Sequence, residues 1–444
     1  MKWLLQKLVT VLFGERHAHT MQIAGNAAWL FVMHCFALGA GFIANYLMVN
    51  FAGVDNLGAY VYLFNLLYLL CTFCNFGVDT LVLTQASVYH SAKTGGKLKG
   101  LFLFSLIIVL VTTLLVSVST TLLFSPGVIT ANLSDNWFPL SVSVLLLLLI
   151  TTISQSGLQS LGKVVQSQFI EKVLKPVLLI TLLVILYGTS GMLSKEKLVI
   201  ANIVVISAGA ITALWLSMRK LVPAWQGASP VFETTAWLRS SAGFYLVAVL
   251  YMLNARTDIF MLGLFQPHSS VGIYSISLRM SELIGFALMI INFVLAPLTV
   301  QLIQHGETKQ LQRIITSSAR AVVAVGLPLL LAIVVFRSFL LGIFGREFIV
   351  AAPALLILCA GQLVNILIGP VELILVMTGN QKYSVISLAA GTGVNIILNL
   401  MLTPVYGITG TAIASAASLL TWKSVMYIFV RKNTDLRTTA WGRF

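Results

Sequence analysis

The chain has 444 residues, of which 58% are hydrophobic and only 9% are charged. Soluble domains carry roughly 25% charged residues, so this composition excludes a string of water-soluble domains and predicts a polytopic membrane protein. The formal net charge of +14 comes from 27 Lys and Arg against 13 Asp and Glu. Because no soluble basic module accompanies it, we interpret the excess as a signal of membrane orientation and expect no nucleic-acid partner.

Residues 1–21 are predicted to be an amphipathic lead that lies in the membrane interface. Apolar residues between Trp3 and Phe13 recur there at helical spacing against Lys2, Gln6 and Lys7. The alternative is a cleaved signal peptide, but the apolar core is short and no small-residue cleavage site follows it.

Beyond the lead, about twelve apolar runs are long enough to cross ~30 Å of hydrocarbon as helices. The runs lie near residues 22–44, 58–87, 100–124, 138–160, 173–190, 198–218, 240–266, 271–302, 316–338, 350–378, 383–403 and 407–430. They are near-continuously apolar and lack the alternation of barrel strands, which favours an all-α polytopic membrane protein. Most Lys and Arg fall in loops on one side of these spans, so both termini are predicted to be cytoplasmic.

An internal repeat divides the predicted helices into two sets. The motifs at 46–48 and 58–60 recur at 260–262 and 272–274, a constant offset of 214 residues. We therefore predict two six-helix lobes, related as parallel pseudo-repeats around a central cavity, which is the plan of a transporter. The predicted divisions are the lead, an N-terminal lobe over 22–218, a cytoplasmic linker over 219–239, a C-terminal lobe over 240–430 and a cytoplasmic tail over 431–444.

Ionisable side chains inside the predicted spans are the first candidates for function, because each costs about 3 kcal/mol to insert. The acidic ones, which we interpret as candidate H⁺ or Na⁺ coupling sites, are Asp79, Asp258, Glu282 and Glu372. The basic ones are Arg256 and Arg279. The alternative for all six is structural ion pairing between packed helices.

Helical spacing sorts these residues into faces. Asn254 and Asp258 lie four residues apart with Tyr251 one turn before them, which predicts one polar stripe that leaves Arg256 on another face. Arg279 and Glu282 are three apart and share a face.

A second polar layer is predicted nearer the cytoplasm. Gln362, Asn365 and Glu372 follow helical spacing across a bend at Gly369 and Pro370. Asn395 and Asn399 stack four residues apart, as do Asn75 and Asp79. Such stripes suit a hydrated cavity for a hydroxyl-rich cargo, and the alternative is amide hydrogen bonding between helices.

Enzymatic chemistry is not supported by the motifs of the chain. The sequence has no Walker A loop, no HExxH and no GxSxG, and its four cysteines lie in apolar runs without a histidine cluster. We expect a protein that is not an enzyme and that uses no metal and no cofactor.

The residues resemble a known family of transporters. The resemblance is carried by the segments at 272–282, 369–382 and 398–410, and by the connection from Leu161 to Pro176. These segments are similar to the O-antigen-type oligosaccharide flippases of the polysaccharide transporter family, within the multidrug/oligosaccharidyl-lipid/polysaccharide exporter superfamily.

The resemblance implies alternating access around a cationic cavity and export of polyprenyl-pyrophosphate-linked oligosaccharide across the bacterial cytoplasmic (inner) membrane. It implies membrane lipids, a polysaccharide polymerase and a chain-length regulator as further partners. On this basis we expect Arg256 and Arg279 to present charge to the pyrophosphate. The residues expected to contact sugar hydroxyls are Asn254, Gln362, Asn365 and Asn395.

Two other functions are alternatives to the oligosaccharide flippase. A cation-coupled multidrug antiporter of the same superfamily is one, although it would be expected to use carboxylates and aromatic residues rather than membrane arginines. A membrane-embedded enzyme of envelope polysaccharide assembly is the other, and the shortness of all predicted loops disfavours it.

Overall fold

A computed structural model describes residues 18–123, 137–304, 307–434 and 436–441. The interfacial helix predicted within residues 1–21 falls almost entirely outside the described residues. The regular structure of the described ranges is helical, which confirms the predicted all-α fold class.

Fifteen α-helices follow one another along the described chain. They are α1 (Ala18–Ala52), α2 (Val54–Asn75), α3 (Val78–Ser91), α4 (Gly95–Leu123), α5 (Trp137–Ser160), α6 (Val164–Phe169), α7 (Lys175–Ser190), α8 (Lys195–Trp225), α9 (Thr234–Phe265), α10 (His268–Gln304), α11 (Thr308–Val335), α12 (Arg337–Gly342), α13 (Ala352–Ile368), α14 (Val371–Met377) and α15 (Gln381–Asn433). A π-helical turn (Ile170–Leu174) joins α6 to α7, and a 3₁₀ turn (Arg346–Ala351) precedes α13.

By length and apolar composition, ten helices of the described chain could cross a membrane. The 16-residue α7 is shorter than such a span but continues from α6 through the π turn, and the 53-residue α15 covers two of the predicted spans. Each of the predicted runs therefore has a helical counterpart. The fifth run, 173–190, corresponds to α7, and the helical residues that precede it start at Val164.

The predicted second span, 58–87, is broken rather than continuous. Phe76 and Gly77 adopt left-handed backbone conformations, with φ of 49° and 71°, between α2 and α3. Asn75 and Asp79 therefore do not stack on one helical face, which corrects the spacing argument. The Ser241 hydroxyl donates a hydrogen bond to the Phe76 carbonyl that the break leaves free.

A second break lies where the sequence predicted a bend. Gly369 has φ of 78° between α13 and α14, and Pro370 follows it. A third break, at Gly407 with φ of 52°, interrupts α15 between the last two predicted spans. There the Gln266 side-chain amide donates to the carbonyl of Thr403 over 3.2 Å.

The described chain divides into two compact units, Met1–Val249 and Leu250–Phe444, with the division inside α9. Tyr60 and Tyr274, which the sequence repeat relates, play similar parts in the two units. The Asn202 amide of α8 donates to the Tyr60 hydroxyl over 2.7 Å, and Tyr274 lies 2.9 Å from the Ser415 hydroxyl of α15. In each unit, a tyrosine thus ties its helix to a polar side chain of a later helix of the same unit.

A charged cluster within the N-terminal unit ties the start of α9 to α3 and α4. Lys97 Nζ lies 2.6 Å from Glu233 Oε1, and the Tyr89 hydroxyl donates to Glu233 Oε2 over 2.7 Å. Trp237, only 1% exposed, donates from Nε1 to the Tyr89 oxygen over 3.0 Å. The hydrogen bond from Lys97, and then that from Tyr89, lower the pKa of Glu233.

The break at Gly77 predicts that Gly77→Ala destabilises the protein by about 2–4 kcal/mol. A Cβ there would lie 2.5 Å from the Ser241 carbonyl oxygen and 2.6 Å from the Tyr245 nitrogen, on a backbone that disfavours side chains. Thermal unfolding in detergent would measure the loss. Gly188→Ala is the matched control, since its Cβ meets nothing within 4 Å, and an equal loss in both variants would contradict the prediction.

The ion pair of Glu233 predicts a pH-dependent stability. Because the folded-state pKa of Glu233 is lowered, the pair stabilises the protein above the ordinary carboxyl pKa, and this stability disappears as the pH falls through the lowered value. We expect Glu233→Gln to lower the melting temperature at pH 7, and the difference from the parent protein to shrink as the pH falls below the ordinary carboxyl pKa. The exposed Glu347→Gln variant should leave the melting curve unchanged at both pH values.

Candidate functional site in the C-terminal unit

Asp258 is the buried acid around which the site of the C-terminal unit is built. It lies on α9 with 5% of its surface exposed. The hydroxyls of Tyr274 on α10 and Ser415 on α15 both donate to Asp258 Oδ2, over 3.0 and 2.6 Å. Three helices thus converge on one carboxylate oxygen.

The second oxygen, Asp258 Oδ1, is buried and has no hydrogen-bond partner among the described residues. A buried acceptor without a partner loses its hydration without compensation, at a cost of about 1–3 kcal/mol or more for a charged group. A proton, or a small cation that prefers oxygen ligands, would relieve this cost. The arrangement therefore suits a group that changes its charge or its ligand.

The predicted stripe on α9 faces α15. Asn254 Nδ2 donates to Ser418 Oγ over 3.2 Å, and Asp258 accepts from Ser415 one turn away. Ser418 in turn donates to the Gly391 carbonyl over 2.9 Å, which links both parts of α15.

A fully buried polar row continues from this stripe along α15. Asn399 Nδ2 donates to Asn395 Oδ1 over 3.1 Å, and Thr403 Oγ1 donates to Asn399 Oδ1 over 2.9 Å. Thr403 and Thr411 are hydrogen-bonded across the Gly407 break at 3.0 Å. Asn395 is only 1% exposed, so in this conformation its amide serves helix packing and is shielded from a cargo.

Charged side chains lie beside the buried acid. Arg279 and Glu282 are exposed and one turn apart on α10, while Arg256 on α9 is half-buried. Arg256 is close enough to interact electrostatically with both Asp258 and Glu282, and Arg279 with Glu282. The structure thus brings four of the predicted site residues into one charged neighbourhood.

The two amides predicted on α13 form a pair. Asn365 Nδ2 donates to Gln362 Oε1 over 3.1 Å. Both lie against Gly285 of α10, where a Cβ would come within 3.0 Å of Gln362 Oε1. Glycine at this position therefore allows α10 to approach the amide pair closely.

The burial of Lys423 within α15 was not predicted from the sequence. Lys423 is only 6% exposed within α15, and its Nζ lies 4.1 Å from the Trp422 ring centroid. Glu372 on α14 attracts it electrostatically and accepts a hydrogen bond from the Tyr251 hydroxyl. The position of Lys423 inside the apolar run 407–430 was the available signal.

Asp79 belongs to the N-terminal unit and is half-buried at the start of α3. Its Oδ1 accepts from the backbone N–H of the next residue, Thr80, over 2.7 Å, in the first turn of α3, where the helix dipole favours an acidic side chain.

Removal of one partner of the Lys423–Glu372 pair should destabilise the protein. We expect Lys423→Met and Glu372→Gln each to lower the melting temperature, because each removes the attraction between the buried lysine and the half-buried glutamate. The double variant should recover part of this loss, and thermal unfolding of the four proteins would measure the coupling. Lys432→Met, at an exposed position, is the control, and additive losses would show that the two charges are independent.

Comparisons with known proteins agree with this architecture. Residues 244–401 match the family model MatE. A curated protein of Haloferax volcanii, the probable low-salt glycan biosynthesis flippase Agl15, is 27% identical over 238 residues. That match covers 52% of this chain and spans about half (48%) of the relative.

Solved structures share the fold at low sequence identity. The chain resembles the lipid II flippase MurJ in an inward closed conformation, with a TM-score of 0.68 and 12% identity over 90% of this chain and 87% of that one. An inward-facing multidrug resistance MATE family transporter of the MOP superfamily gives 0.65 and 14% over 89% and 94%. A Pyrococcus furiosus MOP superfamily transporter, described as having a binding pocket of reverse polarity, gives 0.61 and 13% over 93% and 95%. We therefore identify the chain as a multi-pass membrane protein with the fold shared by MATE family transporters of the MOP superfamily and the lipid II flippase MurJ.

Proposed function

We propose that the protein is a flippase that moves polyprenyl-pyrophosphate-linked oligosaccharide across the cytoplasmic membrane. The observation that carries the proposal is the pair of arginines on membrane-spanning helices, with Arg256 near the buried Asp258 and Arg279 near Glu282. A guanidinium in hydrocarbon is costly, and it matches the oxygens of a phosphate in a bidentate way. The exposure of Arg279 leaves its guanidinium accessible to an anionic head group.

Polar side chains around these arginines would contact the sugars. Asn254 and Gln362 are half-buried, so their amides can reach hydroxyls with small side-chain movements. Asn365 and Asn395 are buried and engaged with neighbouring amides, and they would take part only if the helices move. Alternating access by two six-helix lobes, with both termini cytoplasmic, would supply that movement.

Asp258 is the proposed coupling residue for H⁺ or Na⁺. Its unpartnered Oδ1 would bind the ion, and Arg256 competes with that ion for the same negative charge. Glu282, Glu372 and Asp79 remain secondary candidates. Among them, Glu282 shares the electrostatic neighbourhood of Asp258, whereas Glu372 is already engaged by Tyr251 and Lys423.

A cation-coupled multidrug antiporter is the second candidate function, favoured by the likeness to multidrug MATE structures. The glycan flippase relative and the membrane arginines favour the lipid-linked oligosaccharide. In the proposed pathway, a polymerase and a chain-length regulator would act on the exported units.

The cargo is tested by deletion of the gene in its host and mass spectrometry of lipid-linked sugars and surface glycan. We expect complete lipid-linked units to accumulate inside, and Arg256→Gln or Arg279→Gln to fail to relieve the accumulation at normal protein levels. Arg337→Gln is the control, since that side chain bonds the nearby Val334 carbonyl. Normal lipid-linked sugars would instead indicate drug export, and external single units would indicate a polymerase.

The coupling role is tested with purified protein in proteoliposomes. We expect an imposed proton or sodium gradient to stimulate flipping by the parent protein and to leave Asp258→Asn unstimulated, because the neutral amide binds neither ion as the carboxylate does. Asp55→Asn, at an exposed position of the N-terminal unit, should respond like the parent. Full stimulation of the Asp258 variant would overturn the assignment.

A further inference from the structure

Residues 436–441, which follow the last helix, form a strap with two different faces. Leu436, Thr438 and Ala440 are buried, with 4%, 0% and 6% of their surfaces exposed. Arg437 and Trp441 point outward, and Trp441 is 68% exposed. This alternation has the period of two that an extended segment shows when one face is covered.

The inward face of the strap packs against the helix break at Gly369 and hydrogen-bonds to it. The Thr438 hydroxyl donates to the Ile368 carbonyl over 2.9 Å, and that carbonyl lies at the end of α13, where helical partners are lacking. A Cβ on Gly369 would lie only 2.5 Å from the Thr438 carbonyl oxygen. The break and the strap therefore fit each other closely.

Two side chains of α11 hold the strap through its backbone. Gln312 Nε2 donates to the Arg437 carbonyl over 2.8 Å, and Gln312 Oε1 accepts from the Arg437 N–H over 2.7 Å. Arg320 Nε donates to the Ala440 carbonyl over 3.0 Å. These bonds would form with almost any outward side chain, so the identity of the outward residues is not set by docking.

The strap also joins the hydrophobic core of its unit. Leu436 packs in one cluster with Ile315 of α11, Val371 of α14 and Met426 of α15. Movement of α13 against α14 at Gly369 must therefore carry the strap along or detach it.

The outward face has the chemistry of a membrane surface. Arg431, Lys432 and Arg437 are exposed cations at the end of α15 and in the strap, and Trp441 adds an exposed aromatic ring. Tryptophan prefers the head-group region of a bilayer, and each cation near an anionic surface adds about 1 kcal/mol of attraction. No acidic residue stands among the exposed strap residues that the structure describes.

We propose that residues 436–441 are a membrane-contacting strap, whose outward face binds anionic lipid and whose inward face thereby holds the break between α13 and α14. Anionic lipid would favour the docked strap, with Thr438 bonded to the end of α13 at the Gly369 break. Neutral lipid would leave the strap free to detach. The proposal concerns the response of the fold to lipid and is independent of the cargo.

Amide hydrogen exchange of the full chain in nanodiscs tests the outward face. We expect discs with about 30% phosphatidylglycerol to slow exchange at 436–441 and at 369–374 about threefold or more, relative to phosphatidylcholine alone. The double variant Arg437→Gln, Trp441→Ala should lose this lipid dependence. Trp215→Ala, Arg219→Gln is the matched control, because it removes another exposed tryptophan with an arginine over its ring in the N-terminal unit.

Thr438→Val tests the inward face, since it keeps the side-chain shape and removes the bond to Ile368. Exchange at the Arg437 amide and at 369–374 should both rise about fivefold in anionic discs. Thr434→Val is the control, because its hydroxyl bonds the Val430 carbonyl of its own helix. Faster exchange at Arg437 alone, no change at either place, or a lipid effect that survives the Arg437 and Trp441 changes would each overturn the proposal.

Discussion

Backbone hydrogen bonding in a medium without water is the constraint on which this structure depends. Helices satisfy their own peptide groups, so a chain this apolar folds as helices wherever it spans the bilayer. Each helix break must then find a partner for its freed carbonyls. The break after α2 is served by Ser241, the break after α13 by Thr438, and the break in α15 by Gln266. Side chains distant in sequence thereby fix where the helices can bend.

The same medium explains how the charges are arranged. Asp258 Oδ2 accepts hydrogen bonds from two hydroxyls, and Arg256 attracts the carboxylate electrostatically. Lys423 is attracted by Glu372, and its ammonium lies over the Trp422 ring. Such groups are tolerated because each has partial compensation from its neighbours. Compensation is incomplete at Asp258 Oδ1, which is buried without a hydrogen-bond partner among the described residues.

The two units share a pattern but differ in chemistry. Tyr60 and Tyr274 occupy positions related by the repeat, and each bonds a polar side chain of a later helix in its unit. The position that corresponds to Asp258 at the same offset is Ala44. The buried acid is therefore a feature of the C-terminal unit, added to a tyrosine contact that both units retain.

The sequence by itself determined the membrane class, the all-helical fold, the positions of most spans and the bend at Gly369, because hydropathy and proline act locally. It also singled out Asp258, Arg256 and the stripe on α9, since helical spacing fixes which residues share a face. Only the tertiary structure decided that Phe76 and Gly77 break a helix, that Lys423 is buried and that residues 436–441 dock as a strap. These features depend on hydrogen bonds and burial between segments far apart in the chain, and no local pattern encodes the partner that another segment will supply.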